Sequence, residues 1–225
     1  MAEKVAAAIL AAGDSSRMGR PKALLPFGNG SFLTHIIGTL RAAGVEEIMV
    51  TVGRHAADIL KNTSDRSVRF VVNTQPELGQ ISSLQLALRE LDPTCAGCLV
   101  WPVDQPAVPS SLVQALLRTF RESDAAIVMP AFEGRPGHPA IFPRDLIRDL
   151  LEWPAGQSPK ELIGRHRDRM LLVATRERGV VTDVDTPEDY RNLTGEALSS
   201  VIHEGPQQGR PLEGPDPRLR WRPSE

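Results

Sequence analysis

The stretch VAAAILAAGDSSRMGRPK, residues 5–22, joins a short apolar run to a polar loop punctuated by Gly13 and Gly19. The run has the length of a buried strand and falls far short of the roughly 20 residues that cross a bilayer. Glycine lets backbone amides approach an anion closely, and the loop adds serine hydroxyls and the cations Arg17 and Lys22. We therefore expect the loop to bind phosphate groups; an ordinary basic surface turn is the alternative.

Apolar runs of the same kind recur along the chain and alternate with segments of helical period. Residues 31–44 illustrate the helical segments, with Ser31 as the N-cap and Gly44 as the stop. The alternation predicts an α/β class with a mostly parallel central sheet, and the turn at 134–137 predicts a small antiparallel excursion. The predicted strands are residues 5–10, 47–52, 68–72, 98–103, 125–129, 138–142, 170–174 and 180–184.

Length and composition predict one domain over residues 1–202 and a disordered tail rich in Pro, Gly and Arg over residues 203–225. A nucleic-acid-binding arm is the alternative for the tail. The formal net charge of -2 gives no global attraction to nucleic acid or to an anionic membrane. The chain also opens without a basic leader and apolar segment, so we expect a cytoplasmic protein that binds no membrane.

The two cysteines, Cys95 and Cys98, form a C-x-x-C pair. Such a pair is found in redox centres and in zinc sites. However, Cys98 begins a predicted strand, whereas a redox pair normally lies at the start of a helix, and no second Cys or His pair has ligand spacing. We expect two small buried or turn residues.

The opening loop matches neither the P-loop nor the dinucleotide-binding glycine signature. Residues 10–28, LAAGDSSRMGRPKALLPFG, instead closely resemble the L-A-A-G-x-S-x-R-M-G-x-x-K signature of the MobA-like nucleotidyltransferases that act on the molybdenum cofactor. The resemblance continues in order along the chain and implies their three-layer α/β/α, Rossmann-like fold. The further motifs are GQISSL (79–84), DQP (104–106), GHP (137–139) and VDTPEDY (184–190).

The resemblance also implies a role for each matching residue. Arg17 would stabilise the transition state, Lys22 would hold the α-phosphate, and His138 would lie near the acceptor. Asp104 would act in catalysis and, with Asp185 or less surely Asp183, would bind Mg²⁺. The nucleotide would be bound by Leu10, Ala11, Ala12, Gly13, Ser15, Gly79 and Ser83.

Each of these residues also has a structural alternative. Asp104 precedes Pro106 and would suit a turn, and Asp185 precedes TPEDY and would suit a helix cap. Ser82 and Ser83 would suit caps of the helix that follows Gly79. A lone histidine is more often structural than functional, and for His138 both interpretations stay open.

Within the family, the resemblance favours CTP as donor, because Ala12 and Ser15 follow the cytidylyl-transferring version of the loop. A Cβ at position 12 narrows the floor under the base; GTP or ATP is the alternative. The implied acceptor is the phosphate of molybdopterin, with pyrophosphate released and with transient contact to a molybdoenzyme or its chaperone. Residues 156–166 depart from the family pattern at an acidic and an arginine position, although Lys160 could meet an anion.

That departure leaves two other functions open. One is transfer by the same mechanism to another phosphorylated small molecule, such as a sugar or alditol phosphate. The other is nucleotide binding without turnover, against which Arg17, Lys22 and Asp104 stand.

Overall fold

A computed structural model of the chain describes residues 4–124, 126–154, 156–198 and 216–220. Within these residues, nine strands form one mixed sheet and two more form a short antiparallel ribbon, β2 with β3. The strands are β1 (Val5–Ala11), β2 (Pro26–Phe27), β3 (Gly30–Ser31), β4 (Ile48–Val52), β5 (Arg69–Val72), β6 (Gly97–Pro102), β7 (Ile127–Phe132), β8 (Arg135–Pro136), β9 (Ala140–Pro143), β10 (Met170–Thr175) and β11 (Leu219–Arg220). The helices are α1 (Phe32–Ala42), α2 (Ala56–Lys61), α3 (Gln80–Arg89), α4 (Ser110–Glu122), α5 (Arg144–Leu151), α6 (Pro159–Arg165) and α7 (Pro187–Thr194). The predicted α/β class is confirmed.

The order of strands explains where a ligand can bind. Across the sheet it runs β10, β7, β9, β6, β1, β4, β5, β11, with β8 paired to β7. β1 is parallel to both of its neighbours, β6 and β4, and β4 is parallel to β5. β9 runs antiparallel between β6 and β7, which confirms the predicted excursion. The carboxyl ends of β1, β4, β5 and β6 therefore meet at one edge, where open α/β sheets bind ligands.

All seven residues of β1 are buried, because helices cover both faces of the sheet. Ala7 and Ile9 pack into one apolar layer, which includes buried residues of α1 and α4. Ala6 and Ala8 pack into the opposite layer, with buried residues of α3 and α5. Three layers, α/β/α, follow from this alternation.

The predicted helix over residues 31–44 is confirmed. Ser31 is the N-cap of α1: its hydroxyl accepts from the backbone N–H of Thr34, and the Thr34 hydroxyl accepts from the backbone N–H of Ser31. This reciprocal pair satisfies two amides that a helix start leaves unpaired. Gly44 follows the helix with a φ of 85°, which a residue with a Cβ rarely adopts.

The strand predicted at residues 180–184 is wrong. Arg178–Val181 form a 3₁₀ turn, and the chain then continues as a loop. Val180 and Val184 are buried, so their apolar character reflects packing. Their backbone groups bond to other loops: His138 donates to the carbonyl of Val180 at 2.9 Å, and Val184 donates to the carbonyl of Asp104 at 2.9 Å. Hydrophobic alternation alone did not distinguish this packed loop from a strand.

The cysteine pair behaves as expected for small buried residues. Both Cys95 and Cys98 are buried and neither forms a disulfide. Burial raises the pKa of the Cys95 thiol to about 11 and also raises the pKa of Cys98, so both thiols are protonated at neutral pH.

Among the described residues no cluster of three or more His, Cys, Asp or Glu side chains could hold a metal ion. No described helix is both long enough and apolar enough to cross a membrane.

The predicted disordered tail is only partly within the described residues. Residues 203–215 and 221–225 lie outside them. The prediction is wrong for residues 216–220, where β11 adds to the sheet by pairing in parallel with β5. Composition missed this segment because its described side-chain hydrogen bonds to the rest of the chain come from a single residue, Arg218, whose partners there lie far away in the sequence.

Arg218 fixes this segment to the end of α2. Its guanidinium donates to the carbonyl of Thr63 at 2.6 Å and of Leu60 at 3.2 Å, and it also binds the Asp216 carboxylate at 2.6 Å. It lies 5.6 Å from the centre of the Phe70 ring. The Arg218 side chain is only 9% exposed, so these polar contacts are shielded from water.

We expect Arg218→Ala to lower the free energy of unfolding by about 2 kcal/mol, because it leaves the Asp216 carboxylate and two helix-end carbonyls without their donor. For a chain of this size the Tm should fall by roughly 4–8 °C. Arg220→Ala is the matched control, since Arg220 is exposed on the same segment. Thermal unfolding followed by circular dichroism measures both. Equal Tm values for the two variants would show that the segment contributes no stability through Arg218.

Candidate active site

A cavity of about 380 Å³ opens at the carboxyl edge of the sheet. It is enclosed by the loop after β1, the loop after β4, the start of α3, the end of β6 and Asp185, which precedes α7. Eleven predicted site residues line it: Leu10, Ala11, Ala12, Gly13, Ser15, Arg17, Lys22, Gly79, Ser83, Asp104 and Asp185. Residues far apart in the sequence thus meet because β1, the central strand, lies beside both β4 and β6.

The loop after β1 folds back so that its cations face the cavity. Ser15 has a φ of 51°, in the left-handed region, and its hydroxyl accepts from the backbone N–H of Lys22 at 3.1 Å. Gly19, with a φ of 67°, closes the 3₁₀ turn Ser16–Met18. A Cβ added at Gly13 would meet no protein atom within 4 Å. The loop therefore leaves room for a ligand at Gly13. The hydrogen bond between Ser15 and Lys22 holds the two ends of the loop together.

Lys22 lies between the two predicted metal ligands. Its Nζ donates to Asp104 Oδ2 at 3.0 Å and to Asp185 Oδ1 at 2.5 Å. Arg17 donates to the other oxygen of Asp185 at 3.0 Å. Burial alone would lower the pKa of Lys22, but the two carboxylates outweigh it and raise that pKa. The hydrogen bond from Lys22 in turn lowers the pKa of Asp185. Lys22 and Asp185 are therefore both charged at neutral pH.

Asp185 does not cap the helix that follows it. Thr186 is the N-cap of α7, and the Asp189 carboxylate accepts from the backbone N–H of Thr186 at 2.8 Å and of Asp185 at 3.1 Å. This capping arrangement holds the backbone of Asp185 and leaves its carboxylate to Lys22 and Arg17. Asp183 instead accepts a hydrogen bond from the Gln105 amide. Of the two aspartates, it is Asp185 that lines the cavity.

The pair Asp104 and Asp185 has the donor chemistry of a Mg²⁺ or Mn²⁺ site. Both carboxylates contact the same Nζ atom, so a single cation can reach both. Magnesium is usually held by one or two carboxylates, with substrate phosphates and water as the other ligands. Two aspartates beside the loop that follows β1 fit that pattern, and the phosphates would come from the nucleotide.

The start of α3 is organised by Asn73, a residue that the sequence analysis did not single out. Its side-chain amide donates to the Ser82 hydroxyl at 2.9 Å and to the Ser83 hydroxyl at 2.8 Å. The Ser82 hydroxyl donates to the Gly79 carbonyl at 2.8 Å. Ser82 is thus occupied in the turn, while Ser83 lines the cavity. The available signal was a polar residue directly after the apolar run of β5.

The loop after β4 was also missed. Gly53 approaches the first loop so closely that a Cβ there would lie 2.6 Å from the carbonyl oxygen of Ala12. The next residue, Arg54, lines the cavity and forms an ion pair with Asp14 of the first loop. A glycine after the second predicted strand was the signal for this contact. The Arg54–Asp14 pair is the fourth ion pair in the cavity wall, after the two pairs of Lys22 and the pair of Arg17.

His138 is not brought into the cavity. It is half-buried, and its backbone N–H donates to Val180. Burial lowers the pKa of its imidazole, although the nearby Asp183 and Asp104 carboxylates oppose the effect. The imidazole is therefore neutral at pH 7. Its role toward a substrate stays a prediction.

Comparison with known proteins agrees with this geometry. The sequence model of the MobA-like NTP transferase domain matches residues 7–170. A probable molybdenum cofactor guanylyltransferase of Rhodopirellula baltica is 38% identical over 79% of this chain and 87% of its own length. The corresponding guanylyltransferase of Rhizobium meliloti is 31% identical over 82% and 88%. The molybdenum cofactor cytidylyltransferase of Escherichia coli is 25% identical over 81% and 91%.

The fold has solved counterparts as well. The crystal structure of an Rv0371c homologue from Mycobacterium sp. strain JC1 superposes with a TM-score of 0.73 at 30% identity, covering 88% of this chain and 96% of that one. The matched family domain spans most of the chain and includes the first loop, Lys22 and Asp104. The chain therefore belongs to the MobA-like NTP transferase family and is a nucleotidyltransferase.

Proposed function

We propose that this chain transfers CMP from CTP to the phosphate of molybdopterin and releases pyrophosphate, with Mg²⁺ as the required ion. The observation that carries the proposal is the convergence of Lys22, Asp104 and Asp185 beside the loop that follows β1. The family and the names of its relatives support the pterin as acceptor.

The reaction needs little proton chemistry from the protein. A terminal phosphate of the acceptor has its second pKa near 6, so its oxygen is already ionised at neutral pH. That oxygen attacks the α-phosphorus in line, a new P–O bond forms, and the bond from the α-phosphorus to the bridging oxygen breaks as pyrophosphate leaves. No general base is required, so the reaction does not depend on His138, which lies outside the cavity lining.

The chain must hold together three anionic groups that repel one another: the acceptor phosphate, the α-phosphate of the donor and the leaving pyrophosphate. Backbone amides of residues 11–13 would bind the donor phosphates, Lys22 would bind the α-phosphate, and Arg17 would stabilise charge on the transition state and on the leaving pyrophosphate. Asp104 and Asp185 would hold Mg²⁺, which supplies further neutralisation of the phosphates. Because Lys22 and Arg17 already line the cavity, they need only exchange carboxylate partners for phosphates when the nucleotide binds, and little further reorganisation is needed in the chemical step.

The choice of CTP rests on Ala12. This residue is buried and lines the cavity, and the close approach of Gly53 to its carbonyl fixes the backbone there. A methyl group at this point takes space that a purine base would need. The guanylyltransferase names of two relatives point the other way, so the donor must be tested directly.

The test is pyrophosphate release with Mg²⁺ and CTP, GTP, ATP or UTP in turn, with and without molybdopterin. We expect release with CTP only when the pterin is present, and a gain of GTP turnover in Ala12→Gly. Release by the unaltered chain with GTP and the pterin, but not with CTP and the pterin, would overturn the donor assignment. No release with the pterin, together with release on a sugar or alditol phosphate, would overturn the acceptor. Nucleotide binding with no turnover on any acceptor would overturn catalysis.

A further inference from the structure

The four charged side chains at the mouth of the first loop neutralise one another. Lys22 binds both Asp104 and Asp185, and Arg17 binds the second oxygen of Asp185. Two cations thus face two anions, and the Lys22 side chain is only 14% exposed. The Lys22 ammonium is largely shielded from water and contacts both carboxylates, so it cannot leave one aspartate without affecting its contact with the other.

The Lys22 ammonium and a divalent cation held between the two aspartates would compete for carboxylate oxygens. Lys22 contacts one oxygen of each aspartate, at 3.0 Å and 2.5 Å. The remaining oxygen of Asp185 accepts from Arg17. A cation that coordinates these oxygens would lie close to two fixed positive charges, which disfavours its binding. A nucleotide changes this balance, because its phosphates offer Lys22 and Arg17 other anionic partners.

We propose that Lys22 competes with the divalent cation for Asp104 and Asp185, so that the cation binds tightly only together with the nucleotide. Lys22 is in this respect a positioning residue with two alternative partners, the aspartate pair and a phosphate. The proposal rests on the cation site assigned under the proposed function, and it adds an order of binding: a metal–nucleotide complex enters, and free metal does not bind first.

Affinity for Mn²⁺ in the absence of nucleotide tests this directly. Free Mn²⁺ is measured by electron paramagnetic resonance and its binding by calorimetry, on the full chain. Removing the ammonium in Lys22→Met should strengthen Mn²⁺ binding about tenfold or more, since a nearby charge of one unit commonly changes a site's affinity by that factor. Lys22→Arg keeps the charge and should bind Mn²⁺ as weakly as the unaltered chain.

Two controls locate the effect. Lys61→Met removes an exposed lysine at the end of α2, outside the cavity lining, and should leave Mn²⁺ affinity unchanged. Adding Asp104→Asn to Lys22→Met should abolish the gain, because it removes one of the two carboxylates. Circular dichroism checks folding, and Lys22→Gln provides the same charge removal if the methionine variant does not fold.

Equal Mn²⁺ affinity in the unaltered chain and in Lys22→Met would overturn the proposal, as would a gain that survives Asp104→Asn. These results are separable from the proposed reaction. If Lys22→Met gains Mn²⁺ affinity but the unaltered chain forms no dinucleotide, this inference is kept and the proposed reaction is lost. If the unaltered chain consumes CTP with the pterin but Lys22→Met binds Mn²⁺ no more tightly, the proposed reaction is kept and this inference is lost.

Discussion

Asp104→Asn is expected to lower kcat by about a thousandfold or more, because electrostatic stabilisation of a transferring phosphoryl group is lost with one carboxylate of the proposed cation site. The substitution keeps the size of the side chain and an oxygen that accepts from Lys22, so the fold and the first loop should be preserved. Asp104 follows β6, and its backbone carbonyl accepts from Val184 whatever the side chain is.

Nucleotide affinity should behave differently from turnover in this variant. Without divalent cations, CTP should bind Asp104→Asn at least as tightly as the unaltered chain, because a carboxylate beside the phosphates repels them. Steady-state pyrophosphate release and calorimetric titration of CTP measure the two quantities. Asp124→Asn, at an exposed position after α4, is the matched control and should retain full activity. An Asp104→Asn variant that keeps a tenth of the activity would remove Asp104 from the catalytic machinery.

Arg17→Ala is expected to lower kcat by about a hundredfold with a smaller change in KM, because a guanidinium that stabilises charge in the transition state contributes mainly to the chemical step. The Arg17 side chain is 67% exposed, yet it is anchored at 3.0 Å by Asp185. It therefore combines access to a bound phosphate with a fixed direction. Arg17→Lys should recover little, since an ammonium lacks the planar fork that binds two oxygens at once.

Arg20→Ala provides the comparison within the same loop, because Arg20 does not line the cavity. Its activity should stay within about twofold of the unaltered chain, as is usual for surface substitutions. Equal losses in Arg17→Ala and Arg20→Ala would indicate a general effect of loop charge. A rise in KM alone for Arg17→Ala would place Arg17 in ground-state binding rather than in catalysis.

Much of the fold could be read from the sequence because β1 carries a strong signal. Its uninterrupted apolar run is typical of a parallel strand covered on both faces, and the structure places it at the centre of the sheet. An apolar pattern does not identify a strand where the buried apolar residues lie in a loop. Val180 and Val184 have the apolar pattern of a strand, but their backbone groups bond to His138 and Asp104 in neighbouring loops.

The candidate site was predictable to the extent that it lies in local motifs. The first loop and Asp104 converge because β1 and β6 pair. The resemblance favoured Asp185 over Asp183, and it is Asp185 that lines the cavity. The contact itself was not predictable, because it depends on the capping of α7 by Thr186, which leaves the Asp185 carboxylate to Lys22. Contacts between distant segments left weaker signals.

Three such contacts illustrate the limit. Gly53 is required only because the Ala12 carbonyl lies against it, and Asn73 is recognised only by the two serine hydroxyls that it binds. Arg218 is one arginine among several in a segment of low apolar content, and its importance lies in two carbonyls at the end of α2. Long-range polar contacts of this kind have no periodic pattern, so composition and spacing do not reveal them.

We expect the cavity to transfer the nucleotidyl group of a nucleoside triphosphate to a phosphorylated acceptor. The most direct measurement follows the label from CTP carrying ³²P at the α-position into product, with Mg²⁺ and molybdopterin present. We expect labelled pterin dinucleotide from the unaltered chain, none from Asp104→Asn, and no labelled product from CTP labelled at the γ-position. Unlabelled pterin in the presence of bound, intact CTP would contradict the account.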